Sequence, residues 1–289
     1  MKFPQLIFGI VLVLATALGL AVIPALAQEP SAEQKFLAEL KALSWQAGPS
    51  DGKIASKASV AIPKGYVFLS ALDTSKFLTL MGNLPRQDSY MLAPDSLEWF
   101  AVFDFEETGY VRDDEKLDPD AILQGLKEGN IKSIEARKSR GLHALYLEGW
   151  FVSPHYDLQT KRLEWATKLR SESGAISVNY SIRLLGRSGV MNATLVSEPA
   201  ALEKDMRAYK ATLIGFSFDA GERYSEYRTG DKIAEYGLTG LIIGGAAAAA
   251  AKTGIFKVIG KFGFIIVAGL GALVLGLFRR LSRFTKKAT

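Results

Sequence analysis

The chain has 289 residues and not one cysteine. That excludes disulfides, thiol nucleophiles, cysteine-ligated zinc and an N-terminal lipid carried on cysteine. Histidine is nearly as scarce: His143 and His155 are the only two. Zinc takes three or four protein ligands, so a histidine without others beside it argues against a zinc centre. No Gly-x-Ser-x-Gly elbow, Walker loop or dinucleotide glycine pattern occurs, and no cofactor is expected. Internal repeats and low-complexity linkers are also missing.

Acidic residues are absent from both ends. All 30 Asp and Glu lie between Gln28 and Glu235, beside 26 of the 35 Lys and Arg, so this middle region carries −4 while the whole chain carries +5. The surplus of positive charge belongs to the termini. Phosphate binding needs that charge on the folded surface, which excludes nucleic acid as a partner.

The ends are apolar where the middle is not. Residues 1–27 have the form of a secretory signal: Lys2, an apolar stretch from Leu6 to Ile23, and the small-x-small site Ala25-Leu26-Ala27. At the other end, Phe262–Phe278 is 17 residues long. At the helical rise this spans about 25 Å, the short end of a bilayer crossing. Phe262, Ile265, Ile266, Leu270, Leu273 and Leu277 would face lipid, and Lys257 and Lys261 would snorkel to the interface. The tail at 279–289 carries Arg279, Arg280, Arg283, Lys286 and Lys287, which the positive-inside rule leaves in the cytoplasm. The expected organisation is therefore a signal peptide (1–27), an extracytoplasmic domain (28–230), an Ala/Gly-rich helix with a basic connector (231–261), one span (262–278) and a cytoplasmic tail. The expected location is a bacterial inner membrane, crossed once. The Tyr236–Ala251 run reads either as a packed or interfacial helix or as a second span. Small-residue faces at Gly240, Gly244 and Ala248, and at Ala268, Ala272 and Gly276, would let this protein pair with itself or another membrane protein.

Within the middle region, Ser31-Ala32-Glu33-Gln34 has capping-box spacing and opens a helix ending near Ser44. Ile54–Ile62 and Tyr66–Leu69 read as strands, and Asp73 as the cap of a second helix. Leu97–Phe105 is a strand with Trp99, Ala101, Phe103 and Phe105 on one face. Asp118-Pro119-Asp120 opens a helix whose core stripe would be Leu123, Leu126, Ile131 and Ile134. After a strand at His143–Phe151, period-two alternation runs through Leu163–Arg170, Ile176–Leu184 and Val190–Val196. This spacing predicts an antiparallel three-strand meander open to water on one side. A helix after Pro199 carries Leu202, Met206, Tyr209 and Leu213, and a strand follows at Phe216–Phe218. The fold class is α+β, an antiparallel sheet covered by helices on one face.

Three places invite chemistry. His155 and Asp157 share a loop and would make a base–carboxylate pair for an envelope hydrolase or transferase. Asp113, Asp114 and Glu115 head the densest acidic cluster, but EF-hand spacing is missing, so it reads as a solvated loop. Trp150, Tyr156 and Trp165 would line a ligand groove, or simply fill the core.

Several stretches carry a family resemblance. They are Trp45 with Gly48-Pro49, Ile62-Pro63-Lys64-Gly65-Tyr66, Gly109-Tyr110-Val111, and Gly149-Trp150 with Pro154 and Tyr156-Asp157. Leu163 with Trp165-Ala166, Asn179-Tyr180 through Arg183-Leu184-Leu185-Gly186-Arg187, and Asp231-Lys232 with Tyr236-Gly237 complete them. On these the chain resembles the DUF2167 family. The resemblance implies a bacterial membrane-anchored protein and lends no activity, ligand or catalytic residue.

Overall fold

Residues 31–244 are described in a computed structural model. The signal segment, the apolar run Phe262–Phe278 and the basic tail lie outside the described residues. Among the described residues no helix is long and apolar enough to cross a membrane.

In chain order, helix α1 (Ala32–Lys41) precedes strands β1 (Gln46–Ala47), β2 (Ser50–Ile54), β3 (Ala58–Ile62) and β4 (Tyr66–Leu69). Helix α2 (Ala71–Leu80), β5 (Ser89–Pro94), β6 (Phe100–Glu106) and helix α3 (Pro119–Lys138) follow. Then come β7 (Leu145–Asp157), β8 (Arg162–Ser171), β9 (Ile176–Leu185), β10 (Val190–Ser197), α4 (Leu202–Thr212), β11 (Phe216–Phe218) and α5 (Leu238–Ile243). Eight strands form one antiparallel sheet, ordered β1-β4-β5-β6-β10-β9-β8-β7, and β11-β3-β2 form a second.

The meander is present, but neither face of the large sheet is open as expected. One face carries Leu92, Ala101, Phe103, Tyr180, Ile182, Ala193 and Leu195, and packs against α4 and the second sheet. The opposite face carries two apolar clusters, one under α1 and α2 and one under α3 and α5. Helices therefore cover both faces. Asn179, Ser181, Arg183, Asn192 and Thr194, which period-two alternation assigns to a solvated face, are all buried. Short polar side chains tolerate this when they bond one another. Ser181 and Thr194 approach to 3.4 Å, and Asn192 donates to Asp104 at 2.8 Å.

The predicted strand Ile54–Ile62 is a hairpin instead. Ala55 and Ser56 both take φ of 52°, turning β2 into β3 without the Gly or Asn that usually announces such a turn. Ser70, not Asp73, occupies the α2 cap; Asp73 sits one turn in, buried, bonded to Lys76 at 2.8 Å and accepting from Ser44 N. Ser31 and Gln34 form the expected capping box. Asp118 caps α3 by accepting from Asp120 N and Ala121 N, both at 3.1 Å.

The buried stripe of α3 differs from the predicted one. Ile122, Leu126, Asn130 and Arg137 face inward, and Ile131 is 59% exposed. Asn130 donates to Leu145 O and accepts from Leu147 N, both at 2.9 Å, so its amide stands in for a ninth strand along the start of edge strand β7. Arg137 clamps the other end of α3 to His143 O and Gly82 O. The first part of the Ala/Gly run is a packed helix. Leu238, Leu241 and Ile242 of α5 are buried with Trp165 and Leu126, and Ile243 lies over Gly125, where a Cβ would meet it at 3.3 Å.

Candidate functional site

One end of the large sheet carries a cleft of about 410 Å³. Its walls are assembled from segments far apart in sequence. The β9–β10 turn closes through Gly186 N to Gly189 O and lies so close to β6 that a Cβ on Gly189 would collide with the Glu106 carbonyl. The chain after β11 crosses this turn, with Arg187 N donating to Glu222 O at 2.8 Å. The approach to α5 docks beside it, Tyr110 N donating to Lys232 O and Ala234 N to Tyr110 O. Glu107, Arg187, Ser188, Glu222, Asp231 and Lys232 supply the polar lining.

The charges in this cleft answer one another. Arg187 grips Asp231 with two hydrogen bonds of 2.7 Å, the fork geometry that suits a carboxylate. Those bonds, with a hydrogen bond donated by the Arg228 backbone N–H, hold the Asp231 carboxyl down at about 2. Lys57, from the β2–β3 turn, donates to Glu222 at 2.8 Å and to Ser188 Oγ at 3.2 Å. Ser188 in turn donates its hydroxyl to Glu222. Burial pushes the Glu222 carboxyl up, but the bonds from Lys57 and Ser188 and the Lys57 charge bring it below its ordinary value.

A serine beside a lysine in a cleft has the outline of a nucleophile and its base, but the wiring opposes that chemistry. A general base must take the serine proton near the working pH. Here the lysine is itself a donor to the serine oxygen, and the serine proton points at a carboxylate of lowered basicity.

A second cluster lies on the large-sheet face under α4, at the β7–β8 edge. Glu164, buried on β8, accepts hydrogen bonds from Lys210 Nζ at 2.7 Å and from the Tyr180 hydroxyl. His155 Nε2 stands 3.6 Å from the same oxygen, with the histidine side chain 55% exposed. Burial first, then the Glu164 bond, pushes the Tyr180 hydroxyl well above its ordinary range. His155 and Asp157 are therefore not partners. Asp157 closes the β7–β8 turn, accepting from Gln159 N at 2.8 Å and Thr160 N at 3.3 Å.

The remaining sequence candidates separate. Tyr156 and Asp113 do meet: the Tyr156 hydroxyl and Lys161 Nζ both donate to Asp113 Oδ2, at 2.8 and 2.7 Å. Tyr110 stacks between Tyr224 and Tyr227 nearby, with ring centroids 4.4 and 4.3 Å apart. Asp114 is exposed, while Glu115 accepts from Thr239 N at 3.1 Å at the start of α5. Among the described residues no group of three or more His, Asp or Glu is placed to hold a metal. Trp150, which donates to Pro119 O at 3.1 Å, and Tyr156 pack against Trp165 in the apolar cluster under α3 and α5, and Trp165 itself is buried beneath the Arg183 guanidinium, so the three meet as core side chains.

Sequence reasoning missed Glu164, Lys210, Lys57, Ser188 and Glu222. The family-resemblance stretches containing Arg187 and Asp231 were the one signal pointing toward the cleft.

A family model described as "Protein of unknown function (DUF2167)" matches residues 46–277. No curated protein matches. Among solved structures, the solution structure of cyanobacterial PsbP (CyanoP) from Synechocystis sp. PCC 6803 aligns at 8% identity and a TM-score of 0.34, covering 61% of this chain and 91% of that one.

Proposed function

The chain belongs to the DUF2167 family, and on that footing we propose that it is a non-catalytic binding or adaptor domain, exported from the cytoplasm and held at a bacterial inner membrane by its C-terminal apolar run. The observation that carries the non-catalytic reading is the closed wiring of the cleft. Lys57, Ser188 and Glu222 satisfy one another, and Arg187 is spent on Asp231. A surface so arranged recognises a partner by exchanging hydrogen bonds and does not activate a nucleophile. The anchoring reading is supported by the Phe262–Phe278 run, its basic flank and the signal-like start.

Gly240 is not free for helix pairing, because a Cβ there would lie 2.6 Å from Tyr236. Ala268, Ala272 and Gly276 are left as the face through which the proposed span would meet another copy or another membrane protein.

Crosslinking in intact membranes tests the adaptor reading: a specific partner or a self-dimer is expected, and capture of neither would contradict it. A hydrolase or transferase reading draws on the approach of His155 to Glu164. His155→Ala that folds normally and still rescues a deletion strain would count against it.

A further inference from the structure

Arg162 lies at the start of β8, two residues before Glu164, so both side chains project from the same face of the sheet. Its Nε is buried without a hydrogen-bond partner, and among the described residues its guanidinium makes no ion pair. Its cross-strand neighbour Asp157 spends Oδ1 on turn amides. The Nε donor alone has lost water without gaining an acceptor, which is costly, while the charge as a whole is eased by the neighbouring Asp157 carboxylate.

A second orphan lies in the same neighbourhood. The Tyr209 hydroxyl on α4 is fully buried and unpartnered, and its ring packs edge-on against Tyr180, whose own hydroxyl bonds Glu164. Around these two stand donors with capacity to spare. Lys210, 40% exposed, commits one of its three ammonium protons to Glu164. His155 stands at the rim on β7.

We propose that the β7–β8 edge beside Lys210 of α4 binds an oxyanion, the phosphate or carboxylate group of a small ligand, on the Arg162 guanidinium, with Lys210 and His155 next to it. The planar fork of arginine matches such groups with two parallel bonds. Glu164 is the positioning residue: it draws Lys210 and His155 to the place where the anion would sit, and the Tyr180 hydroxyl together with the Lys210 ammonium satisfies its own charge. The site is separate from the charged cleft, and the proposal does not depend on the adaptor reading.

Isothermal titration of the full-length chain with inorganic phosphate, and separately with acetate, at ionic strength fixed by sodium chloride, tests this. Saturable binding of at least one anion is expected, and the tighter of the two identifies the group. Arg162→Gln should weaken it about tenfold or more, with Arg162→Lys intermediate. Lys168→Gln, which removes a nearby cation already paired with Glu148, should leave it unchanged. Saturable binding of neither anion by the native chain, or an Arg162→Gln variant that titrates like it, would overturn the proposal. If Arg162→Gln shows no cooperative unfolding transition, Lys210→Gln is read in its place: weakened binding supports the site and unchanged binding refutes it.

Discussion

Arg187 and Asp231 tie together two segments 44 positions apart, and the consequence is a dependence on pH. The Asp231 carboxyl falls from an ordinary 3.8 to about 2 in the folded chain. Its contribution to stability is therefore present above the unfolded value and lost as pH falls through about 2. Asp231→Asn should melt below the native chain at neutral pH, and the gap should close on acidification across that window, as followed by circular dichroism. Glu164→Gln keeps the shape and removes the charge that Lys210 and Tyr180 address. A loss of roughly 1–3 kcal/mol in urea unfolding is expected, because a bond to an ionised group is replaced by a weaker one. Glu164 was illegible in the sequence for a simple reason. In Leu163–Arg170 it occupies the polar half of an alternating strand, which reads as solvated, and only the distant helix carrying Lys210 turns that face inward. The pairing of Arg187 with Asp231 was equally beyond reach, since a bidentate contact leaves no periodic mark.

Asn130 shows how an element is finished by a single side chain. Its amide satisfies one buried carbonyl and one buried amide of β7, and no neighbouring strand replaces it there. Asn130→Ala should cost about 2–4 kcal/mol by chemical denaturation, since unmade bonds to desolvated backbone cost more than made ones return. Helical periodicity points instead to Ile131, because it ranks apolar residues as core and cannot see a polar residue doing the work of a strand. Elements with strong local chemistry were legible: the capping box of α1, the Asp118 cap of α3, and the one-sided α4 carrying Leu202 and Tyr209, with Leu213 just beyond it. The β2–β3 hairpin was not, because Ala55 and Ser56 take left-handed backbone without a residue type that favours it. The Ala/Gly run gave an ambiguous signal that α5 resolves for its first turns. Leu241→Ala there should cost about 2–4 kcal/mol in denaturant unfolding, as for a leucine removed from a packed core.

At the scale of the whole molecule, two layers on either face close a sheet whose central rows are partly polar. The chain leaves this body through a strap, not a loose linker. Asp231 is held by Arg187, Lys232 O by Tyr110 N, the Tyr236 hydroxyl by Glu106 at 2.8 Å, and α5 by the core. Whatever follows Gly244 thus departs from a fixed point on the domain. In the proposed orientation the acidic domain lies outside the cell membrane and the Arg/Lys tail in the cytoplasm. Because the native chain has no cysteine, single reporters are available without background. A membrane-impermeant maleimide applied to spheroplasts should label Ser173→Cys, on the exposed β8–β9 turn, in intact cells, and Ser282→Cys in the basic tail only after lysis. Labelling of Ser282→Cys in intact spheroplasts with Ser173→Cys protected would contradict it.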